Sequence, residues 1–487
     1  MNNFSKTVLR NSAVSLAAQL AIKIISFGFS VFIIRNLGAK DFGQYSAIAA
    51  FGTIFLFIAD LGLSTYMVRQ VARLRDTPNG DEEIKQLFGN ILILRLLLSA
   101  LASVLLLTAA WITGRPLIMI GAIGLNTLGI MMYGAQGTFD MVLYGYERLD
   151  LSARAKLFYQ ITFILLGSVA LLQGTGYYGL IVANLGSIGL YTYICWRWVR
   201  KLGIHPSRAS MKSWLPLLRI SVPFAIISFA LGLSYKFDSV LLNIYRSDLE
   251  TGYYNAAYNL IFSAVLISNV INTSLYPSLT RQVTVNPGRL SPIVDRVLRY
   301  LVTIALPITV GIWALANPLV TLLYTKSYQP AAPAMQIIIW VVPFMYLSEF
   351  LGYVVLITGR EKIAARSVLI STGFNVVINL WVVPHFGYLG SAVMTVLTEI
   401  ILVGQYVWVL SSMLRKLNWI NILVRPLLAS ALMGTLVVFL RSAVPLPVNV
   451  LIGMVSYPIF LFVVGAFGKD DFNFIRALRM SSKADNA

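Results

Sequence analysis

The chain has 487 residues, 58% of them hydrophobic and only 12% charged, with a formal net charge of +19. A soluble domain carries roughly a quarter charged residues, so a soluble globular protein is excluded. Cys195 is the lone cysteine, which excludes a disulfide framework and a cysteine metal centre. Apolar runs of the roughly 20 residues needed to cross a bilayer recur along the chain, and helices are the default spanning element because backbone groups in lipid must pair within their own segment. In chain order the expected spans are 11–34, 44–68, 88–112, 117–141, 157–173, 177–198, 217–243, 252–276, 298–323, 331–357, 367–384, 387–410, 426–442 and 446–467. The sequence therefore predicts an all-α integral membrane protein of about fourteen transmembrane helices. Its first run is too long, and lacks the small-residue cleavage site, for a removable leader.

Lysine and arginine set the expected orientation. With the N-terminus in the cytoplasm, 29 of the 38 basic residues fall on the cytoplasmic side and six on the outer side. The other three, Lys23, Arg95 and Lys236, lie inside spans. Both termini are then cytoplasmic, and topology rather than nucleic-acid binding accounts for most of the net charge.

An internal repeat is visible. Gly43-Gln44-Tyr45-Ser46-Ala47 opens the second span and Gly252-Tyr253-Tyr254-Asn255-Ala256 the eighth, 209 residues later. Tyr178-Gly179-Leu180 opens the sixth and Phe386-Gly387-Tyr388 the twelfth, 208 residues later. Six helices are thus repeated in one membrane orientation, as in transporters with parallel repeats and a substrate path between them. The expected organisation is a six-helix lobe over 1–200, a basic cytoplasmic linker over 201–216, a second six-helix lobe over 217–415, and two further helices with a tail over 416–487.

The stretch LGAKDFGQYSAIAAFGTIFLFIADLGLSTYMVRQVAR at 37–73 resembles the first two helices of the polysaccharide-exporter branch of the multidrug/oligosaccharidyl-lipid/polysaccharide (MOP) superfamily. Residues 251–281 resemble that family's eighth helix and 359–400 its eleventh and twelfth. The resemblance covers essentially the whole chain. It implies a MATE/MOP-like helical fold and alternating access between two lobes. It also implies a flippase for undecaprenyl-pyrophosphate-linked oligosaccharides of the O-antigen, capsule or exopolysaccharide type, in the cytoplasmic membrane. The implied partners are that lipid-linked oligosaccharide, membrane lipids and polysaccharide polymerase machinery, with no nucleic acid, no cofactor and a monomeric state.

A charge inside a span costs about 3 kcal/mol on insertion scales, so each one calls for a role. Lys23 precedes Gly43 by 20 residues and Lys236 precedes Gly252 by 16, which puts lysines one turn apart on repeat-equivalent helices. The resemblance implies that these helices face each other across a central cavity. Lys23, Lys236 and Arg95 are the candidate ligands of the substrate's pyrophosphate, because a bare diphosphate is prohibitively costly to bury. The alternative is neutralisation by a nearby carboxylate: Asp60 for Arg95, Asp60 or Asp238 for the lysines. Glu349 and Glu399, with Asp60 and Asp238, are candidates for H+ or Na+ coupling; hydrogen bonding to polar neighbours is the plainer role. Asn255, Tyr258, Asn259 and Asn269 fall within one arc of the eighth span and suit sugar hydroxyls, or equally hydrogen bonds between helices. Pro223, Pro307 and Pro343 mark candidate bends. Membrane potential alone offers a driving force, since two negative charges moving outward gain roughly 4.6 kcal/mol per 100 mV.

Three other functions compete. A multidrug exporter of the same superfamily would favour a cavity lined by carboxylates. A membrane-embedded glycan polymerase or transferase needs a sizeable extramembrane catalytic segment, and no nucleotide loop or metal-binding helix motif is present. A lipid scramblase would show no sugar selectivity.

Overall fold

The structure, a computed structural model, describes residues 3–285, 290–415 and 417–466; side chains are described from residue 22 onward, apart from 223–224, 227–228, 231, 273–274, 276–278 and 280–285. Pro223 lies among these exceptions. The described residues are helical with no strand. In order the helices are α1 Asn3–Asp60, α2 Leu63–Leu74, α3 Gly80–Ile112, α4 Leu117–Gly145, α5 Leu149–Leu172, α6 Gly176–Lys201, α7 Trp214–Tyr245, α8 Asp248–Val285, α9 Leu290–Tyr324, α10 Ala331–Ile338, α11 Val341–Ile357, α12 Glu361–Val409, α13 Ser411–Leu414, α14 Arg425–Leu440 and α15 Leu446–Val463.

Two of these are too long to be single spans. At 1.5 Å per residue, α1 would reach about 87 Å and α12 about 74 Å, against a hydrocarbon core of about 30 Å. Each is broken at one glycine outside the helical region, Gly38 (φ 71, ψ 170) and Gly387 (φ 59, ψ −147). Glycine alone takes such angles without a Cβ penalty. Each helix therefore supplies two spans joined at one residue. Among the described residues, 11 helices are long and apolar enough to cross a membrane. Counting α1 and α12 twice and adding α7 gives the fourteen spans expected.

The end of the second span differs most from expectation in its backbone. The second span ends at Asp60, not at residue 68, because Leu61 (φ 41) and Gly62 (φ 76) both adopt left-handed backbone. The following α2 is amphipathic. Leu63, Met67 and Val71, four residues apart, are buried, while Arg69 and Arg73 are exposed. Arg75, just beyond α2, bonds the Gly145 carbonyl at 3.3 Å and the Glu147 carboxylate at 2.9 Å, tying this turn to the α4–α5 turn. The Glu147 contact holds the Arg75 guanidinium above its ordinary pKa.

Packing divides the chain into two compact units, one of residues up to 259 with 368–394, the other of 260–367 with residues from 395 onward. These units do not follow the repeat boundary, because α7 and the start of α8 pack with α1. In the first unit α3, α4 and α6 pack together, with α5 against α6. Its core includes Met67, Ile84, Phe88, Val142 and Cys195. In the second, α9 is the hub for α10, α11 and α14, with a core of Ala314, Leu315, Ala429, Met433 and Leu461.

Within the first unit the two repeat-equivalent glycines meet. A Cβ at Gly43 would overlap the Asp248 carbonyl and approach the Gly252 nitrogen; a Cβ at Gly252 would overlap the Ala39 carbonyl and approach the Gly43 nitrogen. Side chains secure this crossing. Asp248 accepts from Gln44 Nε2 at 2.8 Å and from Asn243 Nδ2 at 2.6 Å, and Arg115 donates to the Asn243 carbonyl at 2.8 Å. At the α12 corner, Glu250 accepts the Tyr388 N–H at 3.1 Å and pairs with Arg246 at 3.1 Å.

Candidate functional site

Lys23 lies on the first half of α1, exposed and followed by exposed Ile24 and Ile25. Lys236 lies on α7 and is half-buried. Among the described residues no carboxylate forms an ion pair with either lysine. Asp238, two residues on, is buried and committed elsewhere: it accepts from Tyr254 Oη and from Asn379 Nδ2, each at 2.8 Å. Tyr254 is the repeat counterpart of Tyr45, so α7, α8 and α12 converge on Asp238.

Arg95 makes the ion pair with Asp60 that was expected as the alternative to pyrophosphate binding. Its side chain on α3 is only 7% exposed and pairs with Asp60 at 3.0 Å. Thr138 Oγ1 lies 3.4 Å from the guanidinium, and Gly137 supplies the space it occupies. Ser64 also donates to Asp60 across the α1–α2 break. A buried arginine needs a counter-charge, and Asp60, ending its helix at the break, supplies one. Asp60 therefore neutralises Arg95, and Lys23 and Lys236 are the intramembrane cations without an ion pair among the described residues.

The polar arc on α8 divides. Asn255 donates to the Thr251 carbonyl at 2.9 Å and accepts from Ser239 at 3.0 Å. Asn259 accepts from Ser30 of α1 at 2.9 Å. Tyr258 is half-buried and stacks on Tyr254 with ring centroids 5.6 Å apart. Asn269 is exposed and belongs to the other compact unit. Asn255 and Asn259 thus make interhelical bonds, and the four residues form no single surface within one unit.

Glu349 and Glu399 come together in the second unit. Glu349 on α11 accepts from Ser268 at 2.8 Å and from Asn272 at 3.2 Å, both on α8. Glu399 on α12 lies beside Ser348 and within electrostatic reach of Glu349. Asn272 Oδ1 and Glu399 Oε2 are sealed from solvent without a hydrogen-bond partner among the described residues. A cluster of carboxylate, amide and hydroxyl oxygens with two unsatisfied members suits a proton or a hard monovalent cation.

Sequence reasoning passed over Asp140. It sits at the edge of the expected fourth span, where a charge reads as the start of a loop. The helix runs on to Gly145, and Asp140 is 3% exposed.

Comparison with known proteins fits this architecture. The sequence profile described as polysaccharide biosynthesis protein matches residues 8–283, more than half of the chain. The chain belongs to this family. The MatE profile matches residues 223–381. A curated relative, the probable low-salt glycan biosynthesis flippase Agl15 of Haloferax volcanii, is 20% identical over 438 residues, 88% of this chain and 89% of its own. An uncharacterized membrane protein of Methanocaldococcus jannaschii is 28% identical over 122 residues, so the chain spans only 24% of that relative's length. Among solved structures, the lipid II flippase MurJ in an inward closed conformation matches with a TM-score of 0.76 and 13% identity, over 92% of this chain and 98% of that one. At that identity the likeness shows the fold. As a member of the family, the chain is a multi-pass membrane transporter and not a catalyst.

Proposed function

We propose that the protein is a flippase that carries undecaprenyl-pyrophosphate-linked oligosaccharide units, of the O-antigen, capsule or exopolysaccharide type, from the inner to the outer leaflet of the cytoplasmic membrane by alternating access. The observation that carries this is the pair of lysines on repeat-equivalent spans, Lys23 and Lys236, which no carboxylate neutralises among the described residues. Where Arg95 is given Asp60, these two ammonium groups are left for an anion that the bilayer would otherwise reject. A lipid diphosphate is such an anion. The family and the flippases among its relatives support the same substrate class. In this scheme the basic loops and both termini face the cytoplasm, the chain works as a monomer beside polysaccharide polymerase machinery, and Glu349, Glu399 and Asp238 serve H+ or Na+ coupling. Membrane potential drives the anion outward, and no cofactor takes part.

The test is glycan export in a deletion strain complemented with variants, read as lipid-linked sugar on each leaflet. Hydrogen bonds to charged groups contribute about 1.5–3 kcal/mol, so Lys236→Gln and Lys23→Gln are each expected to cut export about tenfold or more. Lys236→Arg retains most of it. Wild-type export from the double Gln variant would overturn the assignment.

A further inference from the structure

The stretch from the end of α6 to the start of α7 is basic without compensation. Between Asp150 and Asp238 the sequence holds no acidic residue. Within that interval Arg197, Arg200, Lys201, Arg208, Lys212 and Arg219 are exposed, and none of the six forms an ion pair among the described residues. Around the neighbouring turns the reverse holds: Arg75 pairs with Glu147 at 2.9 Å, Lys85 with Glu82 at 2.7 Å and Arg148 with Asp150 at 3.1 Å. Topology calls for positive charge on one side of the membrane, but not for one stretch to stay unneutralised while its neighbours are paired.

Aromatic and apolar groups accompany these cations. Tyr193, Trp196 and Arg200, three and four residues apart on α6, share one face and are all exposed. The Tyr193 and Trp196 rings lie 5.9 Å apart, and the Arg200 guanidinium lies 4.9 Å from the Trp196 ring centroid. Exposed Trp and Tyr mark the boundary between bilayer and water. A guanidinium held by a ring face rather than by a carboxylate keeps its N–H edge for a phosphate oxygen. Across the junction of linker and α7, Met211 and Leu215 are 77% and 66% exposed, with Lys212 between them. Apolar and basic groups interleaved at the end of a span suit a segment lying in the headgroup layer.

The linker is no loose tether. The Ser207 N–H bonds the Lys85 carbonyl at 3.0 Å, and Asn90 Oδ1 accepts from the Ser210 N–H at 2.7 Å and from Trp214 Nε1 at 3.2 Å. Gly89 permits this approach, since a Cβ there would overlap the Ser207 carbonyl. Ile204 and Leu217, on either side, enter the same core as Phe88 and Val199. The end of α6 and the linker are thus fixed to α3 as one surface, with Met211, Lys212 and Leu215 left outside.

We propose that this surface is a docking face for the headgroups of anionic phospholipids in the adjacent leaflet, anchored by Arg200 on Trp196 and by Lys212 between Met211 and Leu215. Phosphate oxygens meet the two cations, and the apolar side chains enter the acyl boundary. A zwitterionic lipid carries its own cation and gains less. The occupant is a lipid rather than an acidic protein because exposed Tyr193 and Ile220 continue the face onto the spans, where only lipid is met. Docking holds the connection between the two halves against the membrane surface. The inference goes beyond the transport reading and needs only that α6 and α7 cross a bilayer.

Photocrosslinking of the full chain in phosphatidylcholine nanodiscs, doped with phosphatidylglycerol carrying a photoreactive headgroup, tests it. Crosslinks are expected to concentrate on residues 193–219, and Arg200→Gln and Lys212→Gln should each lower the yield there about fivefold, the worth of one cation near an anionic surface. Arg200→Lys with Lys212→Arg keeps the charge and should keep most of the yield. Arg148→Gln removes a charge from the same side, but one already paired, and should change nothing. Equal yields from a phosphatidylcholine probe, a yield indifferent to the two Gln substitutions, or an equal loss in Arg148→Gln overturns the proposal. Polyglutamate that crosslinks to these residues where the phospholipid does not also overturns it, and assigns the face to an acidic protein. None of these outcomes depends on whether the chain carries a lipid diphosphate.

Discussion

Arg95 and Lys236 are both cations within spans, and their circumstances are opposite. Arg95 is buried against Asp60 at 3.0 Å; Lys236 is half-buried with no carboxylate paired to it among the described residues. Removing one member of a buried pair strands the other, at a cost of about 3–5 kcal/mol, while replacing both with apolar residues is often neutral. Asp60→Asn should therefore lower thermal stability in detergent sharply, and Asp60→Leu combined with Arg95→Met should recover most of it. A phosphate-binding role for Arg95 predicts instead that Asp60→Asn leaves stability intact and that export falls only when Arg95 changes. The intramembrane charges were legible in the sequence because charge is rare in spans. The pairing of Arg95 with Asp60 was legible too, as the alternative to pyrophosphate binding. The partners of Asp238 were not: Tyr254 and Asn379 come from α8 and α12. Asp140 was hidden for a different reason: one residue inside the expected end of its span, it reads as the start of a loop, whereas the helix runs on five residues to Gly145.

At the scale of elements, apolar run lengths located the spans, but the joints between them depend on single backbone angles. The α12 corner is the clearest. Gly387 sits at φ 59, ψ −147, with the Glu250 carboxylate and Arg246 guanidinium packed against the space a Cβ would fill. Gly387→Ala should cost about 1–3 kcal/mol from backbone strain alone, more with the displaced Glu250. It should be measured beside Gly373→Ala, on the same helix with open space around it, which should stay within about 1 kcal/mol of the wild type or gain slightly. Equal effects at the two sites would show that the corner is not strained. The polar arc on α8 shows the limit of periodicity. The arc falls on one face by spacing, yet Asn255 and Asn259 use their amide oxygens on Ser239 and Ser30, which residue type alone does not distinguish from sugar binding.

At the scale of the molecule, the repeat announced two related halves, and the structure shows where the second span of each half touches the other. Gln44 and Asp248, joined at 2.8 Å, bracket the Gly43–Gly252 crossing. Cysteines at these two positions should form a disulfide in this conformation. If alternating access requires the crossing to part, oxidation should abolish transport and a reductant restore it. Full transport by the oxidised protein would mean that the crossing is a permanent joint.

The Gly43–Gly252 crossing is reciprocal: each glycine abuts main-chain atoms contributed by the other's segment. Neither partner has a side chain to trim, so a bulky substitution on one strand of the crossing has no compensating change on the other. Such a seam fits flush or stands apart, with nothing elastic between, which is the behaviour wanted of a valve seat rather than a hinge.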